Sequence, residues 1–184
     1  MYIIGIAGFA LFFLGDLNDL RSIHKLLKAS FYAGCLFVVI STILLLLRSD
    51  ASLPFYIRIP FMVLAALFLF LTMMALFGSF SVEDGYDRPG EKRPVYTKKL
   101  YALSRHPGIL FVILFYACLV PAFGIPVKAV LIFALLDIAL GLFEDRIVFP
   151  QMLSGYDTYK ETTPCMIPNG KSIRACIDDF KGRT

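Results

Sequence analysis

The 184-residue chain is 58% hydrophobic and only 17% charged, with a formal net charge of +4 and a mean hydropathy of +0.74. Its charges fall in blocks separated by long apolar stretches, which excludes an ordinary soluble domain and marks an integral membrane protein. The basic surplus then suits a face that sits on anionic lipid, and no pattern of a nucleic-acid module accompanies it.

Five apolar runs can be set against the roughly 20 helical residues that cross a bilayer. Residues 2–14 form a short, weak first run. No basic residue precedes it and no small-residue cleavage pattern follows, so it reads as a retained span or half-span rather than a secretory signal. Residues 15–30 are polar but carry Leu20, Ile23 and Leu27, which predicts a short helix on the inner surface with His24 solvated. Residues 31–47 and 61–80 are uncharged spans, joined by a proline-bearing loop. Residues 81–105 are the longest connection. Gly85, Pro89, Gly90 and Pro94 break its first half, and Tyr96, Leu100 and Leu103 recur at helical spacing in its second, so it is either a lid or a solvated connector.

The fourth run, residues 108–125, turns tightly through Pro121, Gly124 and Pro126 into the fifth, residues 127–143. Together the runs predict an all-α, polytopic bundle of about five transmembrane helices in one domain. Residues 1–94 are its scaffold, 95–168 its functional region and 169–184 a surface segment. With the N-terminus outside, fifteen Lys and Arg fall inside against Arg48, Arg58 and Lys128 outside, which orients the C-terminal segment to the cytoplasm. Cys35 and Cys118 lie within spans and Cys165 and Cys176 on the inner side. Their spacing suggests packing residues and reduced thiols, and no metal is expected.

Candidate chemistry gathers where helices end. Arg105, His106 and Pro107 open the fourth span, and a proline at a first helical position, with the dipole behind it, makes an anion site. Glu144 and Asp145 close the fifth span at the same depth, so the two ends together suit a zwitterion such as an amino acid head group. The bland alternative is that Arg105 anchors the helix at the headgroups and His106 caps it. Asp137, near the middle of the fifth span, must face protein or water, with Thr72 or Ser41 as candidate partners. Beyond Pro150, Tyr156, Tyr159, Pro164 and Pro168 suggest a segment folded back on the membrane surface.

The order of these motifs resembles the integral-membrane methyltransferases typified by isoprenylcysteine carboxyl methyltransferase and the phospholipid N-methyltransferases. The resemblance runs over residues 96–168. It is carried by Arg105, His106 and Pro107, by Glu144 and Asp145, by Gly155, Tyr156 and Tyr159, and by Pro164, Met166, Ile167 and Pro168. It implies S-adenosylmethionine as cofactor, bound by His106, Pro107, Glu144, Asp145, Tyr156 and Tyr159, with Arg105, His106 and Glu144 as catalytic residues. It also implies a lipid or lipidated acceptor drawn from the bilayer, for which Phe111, Phe115, Phe133 and Phe143 offer a greasy wall. Where the family continues with a tyrosine and a glycine, this chain has Gly108, Ile109, Leu110 and Phe111. Two other readings use the same landmark: a nicotinamide-dependent membrane sterol reductase, and a non-catalytic lipid-binding protein.

Overall fold

A computed structural model of the chain describes residues 1–21, 23–78 and 92–182. Residues 79–91, which hold the first part of the expected lid or connector, lie outside the described residues. The chain is mostly helical: α1 (Tyr2–Arg21), α2 (Ser30–Leu47), α3 (Phe55–Phe77), α4 (Leu100–Leu103), α5 (Pro107–Phe123), α6 (Val127–Phe143), α7 (Phe149–Met152), α8 (Tyr156–Thr162) and α9 (Gly170–Phe180). The sequence reading missed a two-residue parallel pair, β1 (Arg93–Pro94) with β2 (Leu153–Ser154).

Among the described residues, three helical segments are long and apolar enough to cross a membrane: Tyr2–Arg21, Lys25–Leu47 and Phe55–Phe77. The first corrects the expected short run. α1 carries on for 20 residues through Asp16, Asn18 and Asp19 instead of yielding to a surface helix. Asn18, at 2% exposure, accepts from the backbone N–H of His24, and the His24 ring in turn accepts from Leu26 N–H to cap a 3-10 turn, Lys25–Ala29. α3 also starts six residues before the expected span, with Pro60 inside it. α5 and α6 are 17 residues each.

The helices run back and forth between two ends. α1 and α2 are antiparallel and cross at Gly8 and Gly34, where a Cβ on either glycine would stand 2.9 Å from the other's carbonyl oxygen. Small residues that admit such close backbone approach are the usual device for packing helices in a membrane. α3 and α5 are antiparallel too: Arg58 Nε donates to Ala122 O at one end, and Tyr101 OH to Ala75 O at the other. Phe9, Tyr116 and Phe133 knit α1, α5 and α6 into the core, and Thr42 Oγ1 meets Tyr116 OH at 2.6 Å within it. Three of the four expected wall phenylalanines are committed here as well. Phe133 is fully buried, Phe111 stacks on Phe68 of α3 and Phe143 meets Phe13 of α1, so these three pack between helices, while Phe115 meets its neighbour Tyr116 on α5 itself.

Asp137 is buried in α6, but neither expected partner reaches it. Thr72 Oγ1 donates to Phe68 O, Ser41 Oγ to Met1 O, and Asp137 Oδ2 has no hydrogen-bond partner among the described residues.

Candidate functional site

The end of α6 does not stop. It continues through a π turn, Glu144–Val148, into α7, and the bond from Phe149 N–H to Glu144 O, five residues back, identifies the wider turn. One extra residue in the turn changes which side chains point inward. Glu144 and Asp145, about 100° apart on a regular helix, here both face the start of α5.

Arg105 and His106 come to them on the short link from α4 to α5, which is fastened from outside. Arg105 N–H donates to Pro164 O at 2.9 Å and His106 N–H to Cys165 O at 3.0 Å, so the strap after α8 holds the entry to α5. α8 itself is aimed by Gly155, whose φ of +76° is one that an L side chain rarely adopts. The turn it makes, together with the spacing of three residues, buries both Tyr156 and Tyr159 against the cluster.

At the centre lies an ion pair. Arg105 Nε donates to Asp145 Oδ1 at 2.7 Å and Nη2 to Oδ2 at 3.0 Å, with the side chains 9% and 8% exposed. Arg105 Nη1 donates to Lys160 O and Thr163 O, and Tyr156 OH donates to Asp145 Oδ1 at 2.7 Å. Burial alone would raise the Asp145 pKa, but the hydrogen bonds from Arg105 and Tyr156 and the charges of Arg105 and His106 hold it below the usual carboxylate range. Burial alone would lower that of Arg105, and the hydrogen bond and charge of Asp145 hold it above its usual value. Burial, then the hydrogen bond to Asp145, pushes the Tyr156 phenol up, so it stays protonated and donates. Burial likewise raises Tyr159, whose hydroxyl donates to Tyr101 O at 2.6 Å.

His106 sits between the two carboxylates, Nδ1 3.3 Å from Glu144 Oε2 and Nε2 3.6 Å from Asp145 Oδ1. Its ring, 5% exposed, stacks on Phe149 with centroids 5.5 Å apart, and Nε2 has no hydrogen-bond partner among the described residues. Glu144 differs from Asp145, because its side chain is 20% exposed and its contact in the cluster is the His106 ring. Beside it, Gly141 leaves room for Ile109 of α5, which a Cβ there would meet first, and for the strap, whose Met166 Cε would stand 2.9 Å away, with His106 Nδ1 at 3.5 Å.

The residues expected at the site therefore converge, but their duties separate. Four of the five Arg105 N–H donors are spent on Asp145 and on two carbonyls, so the guanidinium ties protein to protein and does not stand open for a ligand's carboxylate. Asp145 is likewise spent, which leaves Glu144 and the His106 ring as the groups with unused capacity. Pro107, fully buried, is the first residue of α5. Cys165 joins His106 and Asp145 in a trio whose donor atoms lie within 4.8 Å of one another. Both Asp145 oxygens already accept from Arg105, so a cation there would have to compete with the guanidinium. Sequence reasoning missed Phe149, Gly141 and the fully buried Ser104. Of these, Gly141 carried a signal, being one helical turn before Glu144.

A cavity among the described residues lies at the opposite end of the bundle, lined by Asp50, Ser52, Leu53, Pro121 and Gly124. No protein-family model, curated protein or solved structure matches the chain.

Proposed function

We propose that the chain is a membrane enzyme that transfers a methyl group from S-adenosylmethionine to a lipophilic acceptor at the cytoplasmic face. In this reading α5 and α6 are the fourth and fifth spans, each apolar and packed into the bundle, with α6 lengthened by its π turn. The distribution of Lys and Arg puts the His106 end in the cytoplasm.

The observation that carries the reading is the meeting of His106 with Glu144 at the junction of α5 and α6, braced by the buried pair Arg105 and Asp145. The donor set fits the cofactor at its ammonium end, where Glu144 offers a partly exposed carboxylate. Its carboxylate end falls to His106, whose buried Nε2 has no hydrogen-bond partner among the described residues, and not to Arg105. When bound, the cofactor supplies a methyl group already activated by its sulfonium centre. The chain's own residues then position and exclude water: Pro107 and His106 form the floor, and Tyr156 and Tyr159 the wall. An amine or thiol acceptor must lose a proton, for which His106 or Glu144 is the base; a carboxylate acceptor need not.

The close packing of Phe149 on His106 favours a second reading, a lipid-binding protein without catalysis. The two are separated by incubating membranes that contain the chain with methyl-labelled S-adenosylmethionine and prenylcysteine or aminophospholipid acceptors. Label entering a lipid product, and lost in the Glu144→Gln variant, supports the enzyme; label no greater than in membranes lacking the chain rejects it.

A further inference from the structure

We infer that α9 is seated on an anionic lipid leaflet, with Ile173, Ile177 and Phe180 in the acyl boundary and Arg174 and Lys181 at the phosphates. The sequence of α9 divides its circumference into three arcs. Ser172 and Cys176 are buried on the side packed against α4, where Asp179 accepts from the backbone N–H of Lys99. Next to that arc, Ile173, Ile177 and Phe180 follow at i, i+4 and i+7, and they are 45%, 46% and 51% exposed. At 100° per residue, Arg174 and Lys181 come directly after them, on the side away from α4.

An apolar edge bordered by cations is the pattern of a helix lying in the plane of a membrane surface, its basic side chains bending back to the headgroups. Three further facts point to lipid as the occupant. Among the described residues, three segments are long and apolar enough to cross a bilayer. The other arc of α9 is tied to α4, which leads directly into α5, so the helix lies at an end of the bundle where a membrane surface would be. Ile167, on the strap that leads into α9, adds a further apolar side chain that is 82% exposed. The start of the helix is fixed, since Asn169 Oδ1 accepts from Ser172 N–H and Ser172 Oγ from Asn169 N–H, so it presents its edge as a rigid unit.

The chain has no tryptophan, so one introduced tryptophan is a clean reporter. The full-length F180W and A175W variants are reconstituted in vesicles of phosphatidylcholine with and without phosphatidylglycerol. Emission is read against brominated lipid and aqueous iodide. The inference expects F180W to be blue-shifted, quenched by bromolipid and protected from iodide. A175W, on the far side of the helix, should show the reverse. Phosphatidylglycerol should increase the bromolipid quenching of F180W, and R174Q/K181Q should abolish that increase. Iodide quenching of F180W equal to that of A175W would overturn the seating. Protection from iodide without bromolipid quenching would also overturn it, because protein, such as a second copy, would then be the cover. A bromolipid response indifferent to phosphatidylglycerol would overturn the role of Arg174 and Lys181.

Discussion

Replacing Asp145 with asparagine should unfold the protein more readily than any other single change at the site. The substitution keeps the shape of the side chain but leaves Arg105 charged, 9% exposed and facing an amide that can accept with only one oxygen. Removing one member of a buried pair costs about 3–5 kcal/mol, because the remaining charge is stranded away from water. Against a total stability of about 5–15 kcal/mol that is roughly a third or more. Replacing both partners, as in Arg105→Met with Asp145→Leu, should recover much of the loss, since a buried pair is often worth no more than a well-packed apolar one. Glu144→Gln should cost under about 1 kcal/mol, because Glu144 is partly exposed and keeps a hydrogen-bonding side chain. The acid limb supplies an independent sign. Asp145 has a depressed pKa, so the folded state binds fewer protons than the unfolded one. Its contribution is complete above about pH 4 and is lost as the pH falls through the lower folded value. The Asp145→Asn variant should lack that component. Circular dichroism of thermal unfolding in detergent, run for the wild type, both single variants and the double variant, measures all of this. A midpoint for Asp145→Asn equal to that of Glu144→Gln, or a double variant no better than Asp145→Asn alone, would refute the reasoning.

Three further outcomes are expected. Tyr156→Phe leaves Asp145 Oδ1 with one donor fewer and should cost about 1.5–3 kcal/mol of stability, as for a hydrogen bond to a charged group; Tyr159→Phe, which loses bonds to neutral carbonyls, should cost about 0.5–1.5 kcal/mol in the same unfolding assay. Gly34→Val places a branched side chain where 2.9 Å separates a Cβ from the Gly8 carbonyl, so it should lower the unfolding midpoint through about 1–3 kcal/mol of overpacking between α1 and α2. Gly141→Leu should press on Ile109 of α5 and displace Met166 and the strap, lowering the unfolding midpoint and making limited proteolysis after Pro164 faster than in the wild type.

The bundle was legible where apolar runs have clear ends. α2, α5 and α6 begin and end within a few residues of the runs read from the sequence, because charges, prolines and Gly124 mark their limits. α1 was not, because its last turns carry Asp16, Asn18 and Asp19 and look like a loop. Asn18 stays helical through a tertiary bond to the backbone of His24 that no local pattern reveals. Pro60 similarly suggested a boundary that α3 passes through. The meeting of Arg105 and His106 with Glu144 and Asp145 could be argued from two helix ends at one depth. Their division of labour could not. It depends on a π turn that brings adjacent carboxylates to one side, and on carbonyls of the strap that claim the rest of Arg105. The packing of Phe111, Phe133 and Phe143 was hidden for a related reason: composition shows that they are greasy, while only the fold shows that they meet other helices.

The most direct test of the central claim is calorimetric titration of the purified full chain in detergent with S-adenosylhomocysteine and, separately, with reduced nicotinamide adenine dinucleotide phosphate. The proposed function predicts saturable binding of S-adenosylhomocysteine that raises the unfolding midpoint. Glu144→Gln should weaken it by about 1.5–3 kcal/mol, the worth of a hydrogen bond to a charged group. Binding of the nicotinamide nucleotide with no response to S-adenosylhomocysteine or S-adenosylmethionine would contradict it.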